Sequence, residues 1–439
     1  MSGVKTVIDA NYSSKCFVLT VGEAKTVTIE RIDFEKGKDG CFQKTGAGNL
    51  NLFSCRFANG KFVESASAAS GIGASMSGTA ESELVISNCV FEANYSRQGS
   101  AGNGIGLSLA NFGDVRIVDS AFVDNGLGWG GASLQNSVSK YGASALHVAH
   151  APVKVVRCVF RGNRAATREN CGGTVRLSGA CGGSEFVNCC FVGNMETFTA
   201  INYPSQDTYL GLNCGIIRVE LEKTEDAVTI DNCTLSCNYL DSPRGAAIVV
   251  AKGTANVKNT VAYGNYRWAS GPTKVLADLE VREGGVANVS YSIFSADKDT
   301  GTSVYVNEGG VLRYNEGAKA DVLFVDPSFV TAPEGGIESL IKRSNWGYGH
   351  EFLEAYKETV LAFNVHLRGG TGYTDEWTGE KVLDYASKTE NSPAWDSGDP
   401  ASSFKFEAKP NGHRVNMGCY GNTPWATTSE KTGLMLMFK

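Results

Sequence analysis

The stretch Val156-Arg157-Cys158-Val159-Phe160-Arg161-Gly162-Asn163 returns as Val187-Asn188-Cys189-Cys190-Phe191-Val192-Gly193-Asn194. Two more copies precede it, Ser87-Asn88-Cys89-Val90-Phe91-Glu92-Ala93-Asn94 and Val118-Asp119-Ser120-Ala121-Phe122-Val123-Asp124-Asn125. The shared phrase is a small polar or thiol residue, then x-Phe-x-x-Asn. Weaker copies put Phe34, Phe57, Leu235, Tyr263 and Phe294 at the Phe position. That position therefore recurs every 23 to 44 residues. Such a unit cannot bury its own apolar face, so neighbouring units must stack to make a core.

A second phrase stands before each copy, a small-residue turn followed by alternating apolar residues. It is read in Gly142-Ala143-Ser144-Ala145-Leu146-His147-Val148, Gly172-Gly173-Thr174-Val175-Arg176-Leu177, Gly215-Ile216-Ile217-Arg218-Val219-Glu220-Leu221 and Gly245-Ala246-Ala247-Ile248-Val249-Val250. Between the two phrases lies a third short strand, such as Val153-Lys154-Val155-Val156 or Ala227-Val228-Thr229-Ile230. Three short strands per period, with insertions of variable length, predict a parallel β-helix. In it Phe stacks on Phe and Cys or Ser on Cys or Ser, at the ~4.8 Å spacing of paired strands. The Asn after the Phe suits an inward amide ladder between coils. The chain then divides into a solenoid over 1–335 and closing coils with a cap over 336–439.

Composition agrees with this reading. Glycine supplies 52 of 439 residues and proline only 10, fitting a turn-rich all-β chain rather than a disordered one. The net charge of −6 comes from 40 basic and 46 acidic residues. That near balance leaves no electrostatic footprint for nucleic acid or an anionic membrane. No apolar run reaches the ~18 residues of a transmembrane helix. Met1 to Asp9 lacks the basic and apolar regions of a signal peptide. The 13 cysteines form no zinc-like CxxC pairs, and several occupy the repeat's stacking position, where a thiol acts as a small buried hydrophobe. Their disulfide state stays open at this stage.

The x-Phe-x-x-Asn phrase with its glycine turn and Ile/Leu-Val strand resembles the repeats of chlamydial polymorphic outer-membrane protein passengers. More broadly the chain is similar to right-handed parallel β-helix repeat surface proteins. The start, Val7 to Leu19, resembles the first coil of such proteins. Four later segments, Leu323–Phe329, Phe363–Arg368, Asn391–Pro400 and Pro410–Thr423, resemble in order the closing segments of the choice-of-anchor Q type. The resemblance implies export to the cell surface or medium. Family members carry an export signal and often an anchor; neither is visible here, so the chain reads as a trimmed fragment.

After residue 335 the character changes. His350 to Phe363 sets Phe352, Tyr356, Val360 and Phe363 on one helical stripe, which predicts an amphipathic helix against the last coils. Trp377, Trp395 and Trp425 fall in this part. They read either as cap packing or as an aromatic glycan-binding platform. The apolar end Leu434 to Phe438 is expected to pair with a sheet edge.

Polysaccharide-cleaving chemistry on such a scaffold needs carboxylates beside a base, or a carboxylate-held Ca²⁺. The best constellation is Arg218, Glu220 and Glu222, then Lys252, then Asp278, Glu280 and Arg282, with strand alternation aiming them to solvent on one face. As a site it would offer Arg218 or Lys252 as base. The plainer reading is a solvated face of opposite charges, each pair worth about 0.2–1 kcal/mol. His147 and His150 lie on opposite strand faces and read as isolated surface groups. Asp396 and Asp399 read as turn caps, with Ca²⁺ as an alternative. The leading expectation is a non-catalytic, adhesin-like or structural surface module. It would bind glycans or partners through a lateral face or through insertions at 61–81, 126–142 and 195–213, or self-associate end to end. A lyase or hydrolase of acidic polysaccharide is the alternative.

Overall fold

Each turn that brings the chain back to the Phe-bearing strand requires a left-handed backbone residue. Asn88, Asp119, Arg157, Asn188, Asn232 and Asn259 all take positive φ, directly before the Cys, Ser or Thr of the repeat. Asn and Asp tolerate this conformation better than other side-chain-bearing residues, which explains their place in the phrase. The computed structural model describes residues 5–62, 71–96, 104–127, 143–167, 173–198, 214–240, 244–270, 273–296, 302–314, 321–331, 341–343, 350–352, 355–369, 372–375, 379–382 and 391–429.

The strands build long parallel sheets. Sheet A holds 11 strands, from Thr6–Asp9 to Val322–Phe324. Sheet B runs from Phe17–Thr20 to Val304–Val306, and sheet C from Thr26–Glu30 to Val311–Arg313. The long strand Gly245–Lys258 belongs to both B and C. Each coil visits A, B and C in turn and pairs in register with the next, giving a right-handed parallel β-helix. A fourth ladder, sheet D, has eight strands, from Lys61–Phe62 to Thr273–Leu276. Its members include Gly126–Leu127 and Met195–Phe198, which open two of the insertions expected from the sequence. Most of the remainder of those insertions lies outside the described residues.

Phe34, Phe57, Phe91, Phe122, Phe160 and Phe191 form one continuous ring stack, with centroids 4.6–5.2 Å apart and planes within 11°. Offset stacking at this spacing adds about 0.5–1.5 kcal/mol per pair beyond burial. Leu235, Ala262 and Phe294 continue the column. Ala262, not Tyr263, therefore holds the inward position in its coil; Tyr263 points outward. Cys55, Cys89, Ser120, Cys158, Cys189, Cys233, Thr260 and Ser292 fill the neighbouring column, all buried. The cysteines whose side chains are described are free thiols.

The expected amide ladder runs through Asn94, Asn125, Asn163, Asn194, Asn238 and Asn265, all fully buried. Each Oδ1 from Asn125 onward accepts the backbone N–H and the Nδ2 of the previous rung at 2.8–3.4 Å. Each Nδ2 also donates to a backbone carbonyl of the previous coil, such as Phe122 O at 2.8 Å for Asn163.

One inward position breaks the apolar rule. Lys44 stands between Leu19 and Met76 in its sheet B column and is fully buried. Its ammonium donates to Gly46 O at 2.6 Å and Ser77 O at 2.9 Å and lies 4.9 Å from the Phe112 ring centre. Burial lowers its pKa from 10.5 to about 8. The folded chain then releases this proton at lower pH than the unfolded chain, so the unfolded state binds more protons between those values. Stability attributable to Lys44 should rise across that interval, by about 2–3 kcal/mol. Lys44→Met, which matches Met76 beside it, should be more stable than the parent at neutral pH and lack the rise. Urea midpoints of both proteins from pH 7 to 10 check this; parallel curves would refute it.

The C-terminal region seals a flank of the solenoid. The helix spans only Ala355–Ala362, because His350–Phe352 is instead a strand paired antiparallel with Ile341–Arg343. Val360 and Phe363 are buried with Cys190, Val192, Val261 and Ile293, the outward side of sheet A. A Cβ on Gly193 would stand 2.7 Å from Val360 Cγ1, so this glycine lets the helix approach. Residues 391–429 continue along the same flank. The side chains of Asn188 and Asn232 donate to Cys419 O, Gly421 O and Asn416 O at 2.6–3.1 Å. Gly418 N donates to Asn259 O at 2.8 Å. The helix thus sits beside the middle coils rather than the last ones, because the outward positions there are apolar. Glu407, buried within this segment, accepts Asn416 N and Asn422 N at 2.8 Å each. Burial raises its pKa to about 7.

Candidate functional site

Register decides which of the charged candidates meet. Across sheet B, Arg176 pairs with Arg218, Arg218 with Val249, Val249 with Glu280 and Glu280 with Tyr305. His147 precedes Arg176 in this column. Arg218 and Glu280 thus share an outward column two coils apart. The solvent exposure expected there fails. Arg218 is 2% exposed, Glu280 1%, Arg282 9% and Asp278 fully buried. The reason is sheet D, which overlies this face. From its strands Arg267 lies over the Tyr305 ring at 3.8 Å, and Leu276 O accepts the Tyr305 hydroxyl at 2.9 Å. Only Glu222, beyond the strand Cys214–Leu221, and Lys252 are exposed. Lys252 pairs with Glu220 across a bulge, not with Glu222.

Two ion-paired groups fill the covered face. In the first, Glu220 Oε2 accepts Arg176 at 2.9 Å and Arg218 at 3.3 Å. Burial alone would raise the Glu220 pKa; the two guanidiniums outweigh it and hold the carboxyl below its ordinary value. His147 stands beside them, its Nε2 3.0 Å from Ser178 Oγ. Burial first, then the Arg176 charge, lower its pKa to about 4, so it is neutral at physiological pH. It is no isolated surface group. His150 is exposed, as expected for it.

In the second group Glu280 takes three hydrogen bonds and an ion pair. Oε2 accepts Gly245 N at 2.6 Å and Arg267 at 3.2 Å; Oε1 accepts Asn307 Nδ2 at 2.9 Å and ion-pairs with Arg282 Nε at 3.0 Å. Asp278 does not join either group. It ends the amide ladder, accepting Asn265 Nδ2 at 2.7 Å, Ser295 N at 2.7 Å and Ser303 Oγ at 2.6 Å. Burial raises its pKa to about 6 against those three donors.

No family model and no curated protein matches the chain. The chemistry of the face rests on its own geometry. A general base needs a free lone pair aimed at substrate; Glu280 meets guanidinium and amide donors on its two oxygens, whereas Glu220 gives Oε2 to two guanidiniums and its side chain is 36% exposed. A Ca²⁺ ion seeks six to eight oxygens and would meet Arg282 and Arg267 at Glu280. Among the described residues no three His, Cys, Asp or Glu side chains converge as metal ligands. Asp396 accepts Gly412 N at 3.2 Å and Ser429 Oγ at 2.7 Å, and Asp399 accepts Ala401 N at 2.9 Å. Asp399 caps its own turn, as expected, whereas Asp396 ties together the distant residues Gly412 and Ser429.

Trp395 and Trp425 are half-buried in the C-terminal cover, and Trp377 lies outside the described residues. The members of the charged face that sequence reasoning missed are His147, Arg176, Ser178, Arg267, Tyr305 and Asn307. A signal for Arg176 existed: it occupies the same place in Gly173-Thr174-Val175-Arg176 as Arg218 does in Gly215-Ile216-Ile217-Arg218.

Proposed function

We propose that this chain is the solenoid of a secreted or cell-surface protein, a non-catalytic adhesin-like or structural module of the kind its sequence resembles. The observation carrying this reading is how Glu280 and Asp278 are held. Glu280 takes three hydrogen bonds and the Arg282 ion pair, and Asp278, at the end of the amide ladder, takes three donors, so these two of the four carboxylates that sequence marks for chemistry bind coil to coil. Ligand contact then falls to the lateral faces and the insertions that sheet D opens, with glycans as the ligand class. The test pairs two measurements on the purified chain. Binding to a glycan array with no unsaturated or new reducing ends from a panel of uronic-acid polymers is the expected result. Cleavage of any such polymer, lost in Glu220→Ala with the fold intact, would establish the lyase or hydrolase alternative instead.

End-to-end self-association has separate support. Inward residues of the first coil (Ile8, Phe17, Leu19) and of the last coils (Val304, Leu312, Phe324) are only partly buried. The final coils also form an apolar cup lined by Leu279, Val289, Phe294, Val322 and Tyr314.

A further inference from the structure

The cysteines recur in facing pairs on adjacent coils. Phe17 faces Phe42, so Cys16 and Cys41, one residue earlier, occupy successive coils at one corner. Arg56 faces Val90, Val159 faces Cys190 and Cys190 faces Thr234. Cys55 with Cys89, and Cys158 with Cys189 and Cys233, are therefore stacked in the same way. Paired strands lie ~4.8 Å apart, inside the ~4.4–6.8 Å Cα separation that a disulfide spans.

Access separates the pairs. Cys55, Cys89, Cys158, Cys189 and Cys233 are at most 1% exposed. Cys16 is half-buried on the first coil, with the fully buried Cys41 on the next. The Cys16 thiol donates to Glu35 O at 3.0 Å, and the Cys41 thiol to Ala58 O at 3.4 Å. The nearness of the two thiols lowers the Cys16 pKa and, with burial, raises that of Cys41. Cys16 is the member that ionises and the member a reagent reaches.

We propose that Cys16 and Cys41 are a modification site: a thiol pair that a disulfide oxidant converts to a staple between the first two coils. With oxidised glutathione the Cys16 thiolate attacks one glutathione sulfur, the glutathione S–S bond breaks, and one glutathione thiolate leaves. Cys41 gives up its proton and attacks the Cys16 sulfur of the mixed disulfide, expelling the second glutathione. Two protein thiols are oxidised, and one glutathione disulfide is reduced to two glutathiones that carry the protons away. The staple would tie the first described coil to the second.

The test treats the native full chain with oxidised glutathione, alkylates free thiols, and maps disulfides by mass spectrometry. A Cys16–Cys41 cross-link is expected at least about tenfold faster than any link among the inner cysteines, because Cys16, unlike the stacked inner pairs, is open to the reagent. Proteolysis within residues 5–40 should slow in the oxidised form and recover with reductant. A stable Cys16–glutathione adduct, a Cys16–Cys16 dimer between chains, or equal rates at the inner pairs would overturn the proposal. Cys16→Ser should abolish the protection; protection that persists in it would also refute the assignment.

Discussion

Asn163→Ala should lower the unfolding free energy by about 3–5 kcal/mol, read as a fall in urea midpoint at unchanged secondary structure. The side chain makes four hydrogen bonds in a region with no solvent. Its Oδ1 accepts Asn125 N at 3.1 Å and Asn125 Nδ2 at 3.0 Å; its Nδ2 donates to Phe122 O at 2.8 Å and Asn194 Oδ1 at 2.9 Å. A net hydrogen bond contributes only about 0.5–1.5 kcal/mol, but leaving a buried partner unmatched costs about 1–3 kcal/mol for each group. Truncation strands Asn125 N, Asn125 Nδ2 and Phe122 O together, so the penalty exceeds any propensity effect. Asn94→Ala is the graded control. At that first rung Oδ1 accepts only Gly60 N at 3.0 Å, so fewer groups are stranded and the loss should be smaller. A change under about 1 kcal/mol for Asn163→Ala would mean that water replaces the amide and that the ladder adds nothing beyond solvation.

The repeat made the coils legible because its strongest signals are local. Phe, the thiol or hydroxyl residue and the ladder Asn each sit at a fixed offset from a turn that needs a left-handed residue, so one phrase encodes inward direction, stacking and chain reversal. Tyr263 misled because an aromatic beside the turn outscored Ala262, although alternation alone sends Ala262 inward. The position of the C-terminal segment was less legible, yet its signal is present. The outward column of sheet A reads Asp33 and Arg56 in early coils, then Val90, Ala121, Val159, Cys190, Thr234, Val261, Ile293 and Leu323. Charges that could face water give way to mostly apolar residues, and the cover lies over those from Val159 onward. Asn188, Asn232 and Asn259 mark the same stretch, since their side chains clip residues 399–421 instead of facing solvent. The charged face was misjudged for a physical reason. Alternation predicts which sheet side a residue takes, but not whether a later strand overlies that side. Sheet D is built from segments, such as Lys61–Phe62 and Gly126–Leu127, that are too short to give a strand signal by themselves.

Glu280→Ala should cost about 3–5 kcal/mol, the scale of removing one partner from a buried ion pair. The carboxylate is the shared acceptor of Arg267 and Arg282, whose side chains are 13% and 10% exposed. Without it those guanidiniums keep their charge, since arginine does not deprotonate in proteins, and they lose the anion that balances them. Gly245 N and Asn307 Nδ2 lose their acceptor as well. Glu280→Gln keeps the shape and one acceptor oxygen, so it should fall between the parent and the alanine variant. Glu222→Ala, drawn from the same run of charged residues but exposed, should change stability by less than about 0.5 kcal/mol. The ordering also separates the two functional readings. If Glu280 holds coils together, thermal and urea midpoints fall in the order parent, Gln, Ala, and glycan binding follows the folded fraction. A Glu280→Ala protein that keeps the parental midpoint but loses cleavage of a uronic-acid polymer would show that the carboxylate is free for chemistry, and the module would be an enzyme.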